Sequence, residues 1–99
     1  MAYKVIFTEA AIADLEQIVR YIARDDPPAA ERMGTRLLDQ AETLHALPHR
    51  GKAIRLREGV RRLVVPPYLL LYRVIESNGS VEVLRFWHGA RDQQDLTLG

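Results

Sequence analysis

Apolar positions recur along this chain with two different periods. Residues 3–7 form a short β-branched and aromatic run that predicts a first strand, with Thr8 placed to cap a helix directly after it. From Glu9 onward Ile12, Leu15, Ile18, Val19 and Ile22 are three and four residues apart, which predicts an amphipathic helix ending near Arg24. Asp25-Asp26-Pro27-Pro28 then acts as both a stop and a start. Asp26 can cap, and Pro27 fits the first helical position, where its missing N–H costs nothing. A second helix carries Ala30, Met33, Leu37, Ala41 and Leu44 on one face and closes at Leu47-Pro48. The short connection makes the two helices an antiparallel hairpin. Residues 48–60, with Pro48, Gly51, Gly59 and scattered charge, read as an irregular loop.

Past that loop the period changes to two. Strands are predicted over 61–65, 68–76 and 80–87, the last two joined at Asn78-Gly79, the strongest hairpin signal in the chain. The order is β-α-α-β-β-β, an α+β fold in which a helix hairpin packs on one face of a small, mainly antiparallel four-stranded sheet. The middle strand, YLLLYRV, is apolar on both sides: Tyr68, Leu70, Tyr72 and Val74 alternate with Leu69, Leu71 and Arg73. Two helices cover one face only. The other is left for the polar tail after Gly89, whose large apolar residues are Leu96 and Leu98, for a second copy, or for another protein. A contiguous exposed apolar strip on a small domain marks a binding surface.

Ninety-nine residues make one domain, 1–99, and the balance of 47% hydrophobic and 27% charged residues excludes a disordered tail. No apolar run approaches the roughly 20 residues that cross a bilayer, and the start, MAYKVIF, lacks the pattern of a signal peptide. The absence of cysteine removes disulfides and thiol chemistry and fits the cytoplasm. The net charge of +1 conceals a segregation. Residues 1–49 carry five basic against eight acidic side chains, residues 50–73 seven against one, and residues 74–99 two against four. The basic middle, including Arg61, Arg62 and Arg73, is suited to carboxylates or phosphates.

There is no Gly-rich phosphate loop, nucleophile elbow or metal-ligand motif, so neither cofactor nor metal is expected. His45 and His49 have the spacing of a zinc pair, but Pro48 interrupts the helix between them. His88, in the run WHGARD with Arg91 and Asp92, is the side chain best suited to proton transfer, with an arginine nearby to steady a phosphate. The bland alternative is a strand-end histidine beside an exposed ion pair. No basic recognition helix is present, which argues against a DNA-binding module and against direct contact with nucleic acid.

An ordered set of short motifs spans nearly the whole chain. A-x-x-D-L-x-x-I-x-x-Y-I (Ala11, Asp14, Leu15, Ile18, Tyr21, Ile22), the step Asp25, Pro27, Ala29, Ala30, then Leu44, Pro48 and Arg50-Gly51, then Leu56-Arg57-Glu58-Gly59-Val60-Arg61, Tyr68 with Tyr72-Arg73, and finally Val83-Leu84-Arg85 with His88-Gly89-Ala90-Arg91-Asp92 resemble the ParE toxins of the RelE/ParE superfamily. The resemblance implies a bacterial type II toxin, associated with plasmid stabilisation, that inhibits DNA gyrase by binding rather than by catalysis. It also implies neutralisation by a cognate, ParD-like antitoxin, as a toxin–antitoxin hetero-oligomer, and leaves a homodimer through the helix hairpin open. RelE-type relatives on the same fold instead cleave messenger RNA on the ribosome without a metal. Where that branch carries an arginine after the first aromatic of the central strand, this chain has Leu69. The antitoxin segment is expected to dock on the second apolar face, so Leu69, Leu71 and Arg73 are expected to meet the antitoxin, and Arg61, Arg62, His88 and Arg91 the target. In the alternative, a ribonuclease, His88, Arg62 and Glu58 would be catalytic.

Overall fold

The computed structural model describes residues 2–55 and 57–91. The first strand, β1 (Lys4–Phe7), leads into α1 (Glu9–Ala23), α2 (Pro27–Glu42) and a single 3-10 turn at Thr43–His45. The caps form where the sequence places them: the Thr8 hydroxyl accepts the Ala11 N–H at 3.1 Å and the Asp26 carboxylate accepts the Ala29 N–H at 3.1 Å. Four strands come after the turn: β2 (Lys52–Ala53), β3 (Val60–Val65), β4 (Tyr68–Ile75) and β5 (Ser80–His88).

Among the described residues the sheet has five strands in the order β1-β5-β4-β3-β2, one more than the hydrophobic pattern predicts. The extra strand is β2, two residues paired antiparallel with Arg61 and Arg62 inside the segment expected as loop, and too short to show any period. Every pairing is antiparallel except that of β1, which lies parallel to Ser80–Val83. The β4–β5 connection turns through Glu76–Asn78 and Gly79, whose φ of +64° suits a residue without Cβ.

The helices cover one face, burying Ala11, Leu37, Ala41 and Leu44 against Leu63, Val65, Tyr68, Leu70, Tyr72, Val81, Val83 and Phe86. Val60, Leu69, Leu71, Leu84 and Trp87 form a second cluster on the far face, with Ile54 packed against it. Leu71 is 0% exposed and Leu69 7%. The far face is thus largely closed by the chain itself, and the exposed strip expected at Leu69 and Leu71 is absent. The expected tail at 92–99, with Leu96 and Leu98, and Leu56 lie outside the described residues.

Tyrosine burial predicts an alkaline limit to stability. Tyr72 has its pKa raised above 10.0 mainly by desolvation, partly offset by the Gly51 N–H and by Arg61 and Arg50, and desolvation also raises Tyr68. Tyr3 is raised by donating to Glu76. Above pH 10 the unfolded chain therefore releases these protons before the folded one does, and stability falls as pH rises through the folded values. Melting temperatures measured across the alkaline range should be flat with respect to these groups up to about pH 10 and then drop, most steeply for the wild type and less for Tyr68→Phe.

Candidate functional site

Alternation along the strands assigns the expected site residues of β3, β4 and β5 to a face. In β3, Val60 belongs to the far cluster and Leu63 to the helix-side core, so Arg62 projects on the far face and Arg61 on the helix side. Arg61 is committed there: its guanidinium donates to the Gly51 carbonyl at 2.8 Å and holds the chain entering β2. Arg73, on the far face, pairs with Glu82 at 2.8 Å. These two side chains, with Thr8, Arg57, Glu58, Val60 and Leu84, line a cleft of about 420 Å³ at one end of the far face.

His88 lies at the other end and on the other side. It is paired with Tyr68, its ring meets the Tyr68 ring edge-on with centroids 5.3 Å apart, and its Nδ1 accepts the Ala90 N–H at 3.1 Å. Tyr68 and Arg73, the latter opposite Val60, are five residues apart, which places His88 and the Glu58 end of the sheet about 17 Å apart along the strands. His88, Arg62 and Glu58 are therefore not brought together. Arg62 and Arg91 do share a face: Arg62 is paired with Leu71, and Arg91 lies over Trp87, which is paired with Leu69.

Leu84, the extra residue of a β-bulge opposite the Leu71–Tyr72 step, creates an arrangement that the motif spacing did not disclose. The bulge falls where β1 stops pairing, and Thr8 covers the gap, its N–H donating to the Val83 carbonyl at 3.1 Å and its hydroxyl to that of Leu84 at 3.0 Å. One residue on, Asp14 of α1 reaches the bare edge of β5. Its Oδ2 accepts from Arg85 Nε at 2.6 Å and from the Phe86 N–H at 3.1 Å, and its Oδ1 from Arg85 Nη2 at 2.9 Å. This forked, charge-assisted pair holds the Arg85 pKa above its ordinary value. The Arg85 guanidinium also lies 5.1 Å from the Trp87 ring centroid, and that of Arg91 lies over the same ring at 4.0 Å. The far face therefore ends in two arginines on one indole. Trp87 Nε1 is buried there with no hydrogen-bond partner among the described residues.

The sequence pattern of the ParE toxin of type II toxin–antitoxin systems, parDE, matches residues 5–93. The chain belongs to the ParE toxin family. Among curated relatives of this ParE-family toxin, Toxin RelE2 of Caulobacter vibrioides is 42% identical over 90 residues, covering 89% of this chain and 97% of the relative. The RelBE2 toxin–antitoxin complex of Mycobacterium tuberculosis contains a chain 32% identical with a TM-score of 0.69, over 89% of this chain and 99% of that one. The chromosomal ParDE system of P. aeruginosa superposes with a TM-score of 0.77 over 88% of this chain and 96% of that one, and at 23% identity that likeness speaks for the fold alone. Both ParE and RelE names thus occur among the toxin's relatives. Among the described residues of the toxin no helix is long and apolar enough to cross a membrane.

Proposed function

We propose that this toxin acts by binding DNA gyrase, without cleaving RNA, and that an antitoxin neutralises it by laying an acidic segment across the far face. The observation that carries the first part is the dispersal of the proton-transfer candidates: His88 sits on the helix side, the Val60 end of β3 that Glu58 precedes is about 17 Å away along the strands, and the centre of the far face is Leu69 and Leu71. Metal-free RNA cleavage needs a base, an acid and phosphate donors around one group. Arg62 and Arg91 could supply only the donors, and this shared placement is what favours the ribonuclease as the second reading. For the antitoxin, Arg57, Arg62, Arg73, Arg85 and Arg91 on the far face outnumber Glu58, Glu82 and the Asp14 that neutralises Arg85, so an acidic partner is complementary. Leu69 and Leu71 support this surface from below, and of the three residues expected to touch the antitoxin Arg73 is the exposed one.

The test is plasmid supercoiling by purified gyrase with ATP, adding folded toxin with and without the antitoxin encoded beside it. Loss of supercoiling with linearised DNA, reversed by the antitoxin, is expected. Intact gyrase activity together with cleavage of messenger RNA on ribosomes would overturn the reading.

A further inference from the structure

Arg91 is an exposed cation in an unusual position. Two guanidinium groups, those of Arg85 and Arg91, lie over a single indole, 5.1 and 4.0 Å from its centroid. Both groups are cationic, so sharing one ring is favoured where one of the two charges is compensated. Asp14 compensates Arg85, with both carboxylate oxygens engaged and the two side chains only 12% and 17% exposed. Its third bond, from the Phe86 N–H, fixes the carboxylate to the backbone of β5, so Asp14 is anchored at the strand that carries both Arg85 and Trp87. Arg91 meets no acceptor among the described side chains, which leaves its donors available.

We propose that Asp14 is a positioning residue for Arg91: by holding and neutralising Arg85 it lets the second guanidinium settle on Trp87, where a partner's carboxylate can take its forked donors. Asp14 is on the first helix, away from the far face, and acts there only through Arg85 and Trp87. The inference rests on the proposed antitoxin surface for its functional consequence, while its structural half can be read without any partner.

The experiment uses the full chain and a fluorescein-labelled peptide of the acidic segment of the neighbouring-gene antitoxin. In a double-mutant cycle Asp14→Asn should weaken peptide binding about tenfold in the wild-type background and less than about twofold when Arg91 is already alanine. Asp14→Asn should also increase acrylamide quenching of Trp87, the only tryptophan of the chain, because the ring loses its cover. Asp14→Ala, which removes the compensating charge and the fork together, should give the same pattern and substitutes if Asp14→Asn folds poorly. Equal losses in both backgrounds would mean that Asp14 is structural only, and would overturn the proposal. If Arg91→Ala leaves peptide affinity unchanged, the docking reading fails instead. The quenching then decides alone: an increase supports the positioning role and unchanged quenching in both variants removes it.

Discussion

Gly51→Ala is expected to destabilise the fold by about 3 kcal/mol and lower the melting temperature by roughly 15 °C. A Cβ at this position would lie 2.6 Å from the Tyr72 hydroxyl oxygen, 2.8 Å from Tyr72 Cε1 and 2.7 Å from the Arg62 carbonyl oxygen. None of these can yield cheaply. Tyr72 is fully buried in the helix-side core, and the Arg62 carbonyl is part of the β3 backbone that pairs with β2. The Gly51 N–H also donates to the Tyr72 hydroxyl at 2.8 Å, so movement of either group breaks a buried hydrogen bond. Tyr72→Phe removes the nearest clash and the bond together and should cost less by itself, about 1–2 kcal/mol, from the unsatisfied Gly51 N–H. In that background Gly51→Ala should cost distinctly less than in the wild type, although the Arg62 carbonyl and the Cε1 that phenylalanine keeps leave part of the clash in place. Urea denaturation of the four proteins measures the coupling, and additivity would refute the proposed contact.

The same pair of residues shows what the sequence discloses and what it does not. Both helices, their caps at Thr8 and Asp26 and the three longer strands are legible because each signal is local: a period of 3.6 or 2, a capping side chain, a proline at a first helical turn. Gly51 could be read only as a breaker in a loop, because its partner Tyr72 is 21 residues away and the two-residue β2 carries no pattern. The parallel placement of β1 beside β5 and the bulge at Leu84 are likewise tertiary facts. More of the candidate site is legible than its charges suggest. Arg61 and Arg62, and equally His88 and Trp87, are neighbours in strands, so alternation alone assigns the members of each pair to opposite faces. The rule that sorts YLLLYRV into two faces also separates Arg61 from Arg62, and grouping both with His88 by charge overlooks it. Asp14 and Arg85 both appear in the motifs that carry the family resemblance, but they are 71 residues apart and nothing in the spacing joins them.

The closure of the far face by its own side chains makes Trp87 the residue on which that face depends, and Trp87→Ala is expected to cost about 3–5 kcal/mol. Trp87 is 3% exposed, packs with Val60, Leu69, Leu71 and Leu84, and carries two guanidinium groups on its ring. Removing it opens a cavity under the sheet and deprives both arginines of their aromatic surface. Trp87→Phe should behave very differently, within about 1 kcal/mol of the wild type, because two effects oppose each other. The smaller ring leaves part of the volume empty, which destabilises. It also eliminates the buried Nε1–H, a donor with no partner among the described residues, and so relieves its desolvation penalty. Unfolding has to be followed by far-ultraviolet circular dichroism, since either variant abolishes the only tryptophan signal. A phenylalanine variant as unstable as the alanine one would mean that the indole N–H makes a favourable interaction in solution. If both variants were near wild type, the far face would be held together by Leu69 and Leu71 and not by the ring, and the arginine pair would lose its physical basis as a docking surface.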